Sequence, residues 1–346
     1  MESRKEPALK IVHVKSAAEE AKEILRQERD GKQRGWKCRF PAINAGMLKY
    51  WRPGFITMIA SSSGGGKSFL LNMIEEDFLN IELNGESIYE PYILHFNFEM
   101  KGEDEILRNI SGKMEKSYAY LRSSEIKQDN TGYNNLSDEE LEQAINYLDK
   151  MSNKKLFYVE NSGNINQIRD TIKYFVERYK INQVDQVSGK VNKLIVSFDH
   201  ALLIKRLEER DEIALVADFA KYIIEATKED NLTTIVLNQL NGNIEQPVRK
   251  DNPNNHYPLK TDIHGSNQLY HACDNVIIVH RPELIGIELY GPRSIKTKGL
   301  VHGNGIKYRH GQTGSFWLIA ELNKGRFRPL TEGEKLNMNI TRSIQK

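Results

Sequence analysis

The chain has 346 residues, 49 of them Lys or Arg and 47 Asp or Glu, for a formal net charge of +2. That balance excludes a surface coated in basic residues to grip nucleic acid all over, but not a local basic channel. Hydrophobic residues at 39% and charged residues at 28% are the proportions of a soluble globular protein with ample material for a core.

The first predicted element is an amphipathic helix over 16–30, "SAAEEAKEILRQERD". Ser16 and Glu19 have capping-box spacing, Ala17, Ala21, Ile24 and Leu25 share one face, and Gly31 closes the end. The basic, turn-rich "GKQRGWKCRFPAIN" that follows predicts a tether. Packing of the helix on its own domain and docking on a neighbouring subunit both remain open. The predicted organisation is an N-terminal segment over 1–40, one domain over 41–332 and a tail over 333–346.

From Phe55 onward, apolar runs alternate with helical patterns. "FITMIA", "YILHFNF", "KLFYV", "KLIVSF", "TTIVLNQ" and "NVIIVH" are near-continuous apolar strands, as expected for parallel strands buried on both faces. "NINQIRDTIKYFVERY" between them repeats at helical spacing. The order predicts an α/β sheet with right-handed crossovers. "RSIKTKGLVHGNGIKYRH" and "GSFWLIAELNKGRF" read as antiparallel strands joined at "GQTG". The polar "NQVDQVSGK" (182–190) is expected as a surface insertion, and 241–266, rich in Asn, Pro and charge, as a long functional loop.

"SSSGGGKS" (61–68) lies between a strand and a helix, where the pattern G-x-x-x-x-G-K-[ST] forms a phosphate cradle. Gly66, Lys67 and Ser68 fit; Ser61 stands in place of the first glycine. The expected binding set is Ser61, Ser62, Ser63, Gly64, Gly65, Gly66, Lys67, Ser68 and Phe69. Backbone N–H groups at the helix start meet the phosphates, Lys67 reaches the β- and γ-phosphates, and the Ser68 hydroxyl ligates Mg²⁺. "KLIVSFD" sets Asp199 at the C-terminal tip of a buried strand, the edge where ligands bind in open α/β sheets, to hold Mg²⁺ through water. "HFNFEM" ends on Glu99, a candidate to activate the attacking water, and "IVLNQLN" offers Gln239 as a γ-phosphate sensor. Trp51, Arg281 and Tyr308 are candidates to pack on base or ribose.

Cys38 and Cys273 stand alone, without C-x-x-C or zinc-spaced histidines. No apolar run is long enough to cross a bilayer, and "MESRKEPALK" lacks the apolar segment of a secretory signal. A cytoplasmic protein is expected, in the host cytoplasm if phage-encoded.

The P-loop, "FEM", "IVSFDHALLI", "LNQLN", "HGSNQLYHACDNVIIVHRPE" and "KYRHG" come in an order and spacing that resemble the motor domain of DnaB-type hexameric replicative helicases. The resemblance covers roughly residues 16–330. Ser61, the 182–190 insertion and His200, where the family usually has tyrosine, depart from it. The family's separate N-terminal helical domain, which often recruits primase, is not matched. The resemblance implies a RecA-like ATPase core that uses ATP and Mg²⁺, binds single-stranded DNA and assembles as a homo-oligomeric ring, with a primase or helicase loader as partner. It also implies that Lys307 and Arg309 in "KYRHG" reach the neighbouring subunit's ATP. An always-charged arginine fork suits a γ-phosphate. Lys205, Arg206, Arg210, Arg249, Lys250 and Lys260 are the expected strand contacts, sequence-independent and salt-sensitive. Two other classes stay open: a RecA- or RadA-like filament-forming recombinase, and a regulator that binds ATP without translocating.

Overall fold

The computed structural model describes residues 11–124, 135–200, 204–205, 212–265, 267–338 and 340. Eleven strands are formed among them: β1 (Ile56–Ser61), β2 (Tyr89–Asn97), β3 (Leu156–Val159), β4 (Val191–Asp199), β5 (Thr233–Gln239), β6 (Asn275–His280), β7 (Leu289–Tyr290), β8 (Ile295–Lys296), β9 (Leu300–Tyr308), β10 (Gly314–Glu321) and β11 (Arg326–Pro329). Nine of them make one sheet in the order β11-β10-β9-β6-β1-β5-β4-β2-β3. The six from β6 to β3 run parallel, and β9, β10 and β11 extend that sheet antiparallel. β7 and β8 pair separately as a small hairpin.

Period-two alternation divides the buried residues between the two faces of the sheet. Met58, Leu94, Phe96, Val196 and Phe198 pack against the helices Ile165–Arg178 and Glu212–Glu229. Ile59, Ile93, Ile195 and Ile235 pack on the other face, against Leu70, Leu71 and Ile74 of the helix Lys67–Phe78. Both faces are covered, which is why the central strands read as unbroken apolar runs.

The segment just before residue 41 joins the core of the domain. Trp36, Cys38, Phe40 and Ile43 are buried in the second core, Trp36 bridges Trp51, and Trp36 lies 5.9 Å from the Phe78 ring. Aromatic burial outweighs the turn-rich composition of the supposed tether. At the other end, the helix Glu332–Asn337 spans the expected boundary at 332. Thr331 caps that helix, Glu334 pairs with Arg328 at 2.7 Å, and Ile340 is buried.

The N-terminal helix spans Val14–Arg29, starting two residues earlier than expected. His13 rather than Ser16 caps it, and none of its residues is buried. Arg52–Glu28, at 3.2 Å, is one of its links to the domain. Residues 182–190 form the expected surface turn, with Val187 almost fully exposed.

Candidate functional site

β1 ends at Ser61, fully buried and flanked in register by Gln239 of β5 and Val279 of β6. The chain then turns back into the helix Lys67–Phe78 through three glycines, required by backbone conformation or by close packing. Gly64 (φ +68°) and Gly66 (φ +90°) occupy the left-handed region, where a side chain is strained. A Cβ on Gly65 would lie 1.9 Å from Ser61 Oγ, and one on Gly66 would lie 2.3 Å from the Phe327 ring. The hydroxymethyl group of Ser61 therefore fills the space left by the missing side chain at 65, which accounts for a serine at this position. Ser62 is buried, and Ser63 and Gly64 are exposed at the crest.

The helix that follows has no side-chain cap, whereas Ser137, Asn164 and Thr331 cap theirs. Its first N–H groups are thus open to an anion, with the positive end of the helix dipole behind them. Lys67 is buried at the first helical position and Ser68 is half-buried beside it. Phe69 packs on Phe327 at 6.1 Å. Arg281, expected against base or ribose, instead holds the loop: one guanidinium nitrogen donates to the Gly64 carbonyl at 3.2 Å and another pairs with Glu283. Glu283 in turn accepts from Gly299 N–H at 2.8 Å. Neither the Arg281 clamp nor the Phe327 backing carries a motif that sequence reading could have used.

The acidic side of the site comes from β2 and β4. Asn97 and Asp199 are cross-strand partners, and Phe98 N–H donates to the Asp199 carbonyl at 3.2 Å. Asp199 is buried, with Oδ1 lacking any hydrogen-bond partner, and Glu99 is exposed just past the tip of β2. Burial, reinforced by the Lys67 charge, holds the His200 imidazole below its ordinary pKa, against the opposing pull of Asp199 and Glu99. Lys67, Glu99, Asp199 and His200 therefore share one electrostatic neighbourhood, and Gln239 lies at the same sheet edge. Among the described residues no cluster of three His, Cys, Asp or Glu could hold a metal unaided. One unpartnered carboxylate and one serine hydroxyl beside a phosphate cradle match Mg²⁺, which binds through few protein ligands plus substrate phosphates.

Lys307 and Arg309 lie at the other edge. Thr57 is level with Asn275, and Asn275 with Tyr308, whereas Ser61 is level with Val279, and Val279 with Gly303. Four residues of strand, about 13 Å, separate the two levels. Arg309 pairs with Asp274 at 2.5 Å, and Lys307 donates to the carbonyls of Tyr270 (2.9 Å) and His271 (3.3 Å). Trp51 and Tyr308, the other expected base contacts, are held in packing. Trp51 meets Phe78 at 5.4 Å, and Tyr308 fills the space above Gly46 and Gly305.

The expected strand contacts divide. Arg206 and Arg210 lie outside the described residues. Lys205 is exposed, and its N–H donates to the Gly163 carbonyl at 3.0 Å. The long loop is built on Arg249, whose guanidinium meets both Asp262 oxygens at 3.0 Å and the carbonyls of Asn255 (2.7 Å) and Tyr257 (2.8 Å). Its donors are thus used inside the loop, and its side chain is only 13% exposed. Lys250 is half-buried, and Lys260 sits 4.8 Å over the Tyr270 ring.

Residues 35–329 match the family model of the DnaB-like helicase C-terminal domain. Over 254 residues the chain is 25% identical to the replicative DNA helicase DnaB of Mycoplasma genitalium, covering 69% of this chain and 46% of the relative. It is 23% identical over 276 residues to that of Buchnera aphidicola, covering 80% and 52%. The chain thus spans about half the length of the curated relatives it matches. A solved DnaB-like replicative helicase, described with its interactions with primase, superposes with a TM-score of 0.70 at 16% identity, over 93% of this chain and 68% of the other.

Proposed function

The chain belongs to the DnaB-like helicase C-terminal domain family, and on that premise we propose that it is an ATP-driven motor that travels on single-stranded DNA and separates the duplex. The working form is a ring of identical subunits, most simply a hexamer, with ATP between neighbours. The observation that carries this reading is the division of the catalytic set between two edges of one sheet. The cradle with Lys67, Ser68, Glu99, Asp199 and Gln239 lies at one edge; Lys307 lies three residues of strand, about 10 Å, from the level of Ser61 towards the other, and Arg309 lies farther still. Neither basic residue can serve the cradle of its own chain, so a neighbour's Lys307 and Arg309 must complete it. Such an arginine supplied in trans contributes on the order of 10³–10⁵ in rate.

In this mechanism the amides of Gly64, Gly66, Lys67 and Ser68 and the Lys67 ammonium bind the phosphates, while Gly65 N–H closes the turn on the Ser62 carbonyl at 3.0 Å. Ser68 and Asp199 would hold Mg²⁺, which neutralises phosphate charge when bound. Glu99, exposed next to Asp199, orients the attacking water and takes its proton. Lys205, Lys250 and Lys260, with Arg206 and Arg210, are the candidate contacts to the strand. A primase or helicase loader is the expected class of protein partner; the solved DnaB-like replicative helicase is described with its interactions with primase. The exposed helix Val14–Arg29, with Val14 and Leu25 uncovered, fits docking on the next subunit.

The test is steady-state ATP hydrolysis with and without single-stranded DNA, beside Lys67→Ala. Hydrolysis accelerated by the strand and abolished by Lys67→Ala is expected. ATP binding without turnover, even with DNA present, would contradict the motor reading in favour of a switch.

A further inference from the structure

Glu75 lies eight residues after Lys67 in the same helix and is 1% exposed. One carboxylate oxygen accepts the Ser197 hydroxyl, and the other lies 2.9 Å from His95 Nδ1. Ser197 and His95 are both fully buried and are cross-strand partners in β4 and β2. Each sits two residues before a strand tip, Ser197 before Asp199 and His95 before Asn97. Side-chain alternation puts 95 and 97, like 197 and 199, on the face covered by the helix Lys67–Phe78. A single carboxylate thus ties the helix that opens at Lys67 and Ser68 to both strands of the acidic side.

One turn earlier, Asn72 of the same helix donates to the Glu105 carboxylate, which is also 1% exposed. Glu105 belongs to the helix Gly102–Met114, which begins just after Glu99. Glu99 is therefore bracketed by two buried anchors, His95 before it and Glu105 after it, each bonded to the P-loop helix. The groups facing His95 are Glu75, Glu105, Asp199 and the Tyr158 ring at 5.6 Å. Burial pushes its imidazole down, but the three carboxylates outweigh this and hold it above its ordinary value.

An apolar side chain would fill this space without the desolvation penalty of a buried carboxylate. What directional hydrogen bonds add is a single register, because a helix sliding on apolar strands keeps its contacts whereas one held by Glu75 does not. We propose that Glu75 is a positioning residue of the nucleotide site, fixing the distance between the phosphate cradle and the strand tips that carry Glu99 and Asp199. The role rests on the ATPase reading of that site.

The experiment compares the full chain with Glu75→Ala, Glu75→Gln and Lys67→Ala in two readouts. The first is amide hydrogen exchange at Phe98 and Met100 without nucleotide; the second is kcat and KM for MgATP. Glu75→Ala is expected to speed exchange at both amides at least tenfold and to lower kcat at least tenfold, with KM within threefold of the parent. Glu75→Gln, whose amide still bridges Ser197 and His95, should stay within threefold in all three. If Glu75→Ala does not fold, His95→Gln, which loses one arm of the bridge, carries the same comparison. Parental exchange and kcat in Glu75→Ala would overturn the role, and so would a KM that rises in step with the loss of kcat. Hydrolysis that survives Lys67→Ala would overturn the ATPase reading instead, while exchange measured without nucleotide still decides Glu75.

Discussion

Ser61 and Gly65 compensate each other, and a double-mutant cycle tests this. The Cβ of Gly65→Ala would lie 1.9 Å from Ser61 Oγ and 3.0 Å from the Ser62 carbonyl, so the Ser61 hydroxyl must turn away and the loop around it must give. Overpacking of that kind typically costs about 1–3 kcal/mol. The displaced atoms are those that hold the phosphates, so the loss falls on nucleotide affinity, roughly 5- to 150-fold at about 1.4 kcal/mol per decade. Ser61→Gly alone removes a buried hydroxyl that has no partner and should leave affinity within about threefold, since coupling needs both side chains. Combined, Ser61→Gly and Gly65→Ala should recover most of the loss; the Ser62 contact keeps recovery incomplete. The assay is titration with a fluorescent ATP analogue and Mg²⁺, alongside a thermal melt. Parental affinity in Gly65→Ala, or a double variant no better than Gly65→Ala, would refute the reasoning.

Arg249→Ala strands the buried Asp262 carboxylate, a loss of about 3–5 kcal/mol, and should lower Tm without changing the salt dependence of DNA binding. Lys250→Ala or Lys260→Ala should instead flatten the slope of log affinity against log salt by about 0.7 each, leaving Tm in place. Burial holds His280 at a pKa of about 4 and His302 at about 3. The unfolded chain takes these protons near pH 6.5, so the stability that both contribute is present above that pH. It falls as pH drops through 4 and 3, by on the order of several kcal/mol. Denaturant titrations from pH 7 to pH 4 should show this loss, and a flat profile would contradict it. Both cysteine thiols are pushed up to about 12 by burial. A thiol reagent at pH 8 should therefore label neither until the protein unfolds, and rapid labelling of the native chain would show that the burial is wrong.

Periodicity and punctuation were enough to read the sheet. β5 and β6 match their predicted residues, and the other parallel strands agree to within a few, because each is an apolar run closed by a polar residue. The strand, glycine turn and helix over 56–78 were equally legible, since glycines between an apolar run and a helical pattern mark a tight turn. What composition concealed was long-range contact. The segment around Trp36 looks like a tether until Trp51 and Phe78 are brought beside it, and Arg249 looks like a phosphate ligand until Asp262, thirteen residues on, folds back to it. Glu75 and His95 left a faint signal, a charge inside an apolar helix and a histidine inside an apolar strand. Their pairing needed the strand register to appear. Arg281 and Phe327 left none, as their partners are the backbone of Gly64 and the missing side chain of Gly66.

Mixing two inactive variants tests the shared site most directly. Lys67→Ala keeps Lys307 and Arg309 but lacks the phosphate-binding ammonium; Arg309→Ala keeps the cradle but lacks the trans-acting guanidinium. Each alone should hydrolyse almost no ATP in the presence of single-stranded DNA. In mixed rings formed by a head-to-tail interface, roughly a quarter of the sites in an equimolar mixture combine an intact cradle with an intact arginine. Activity regained on mixing, rising and falling with the ratio of the two, is the predicted result. A mixture as inactive as its components would contradict a site shared between neighbours.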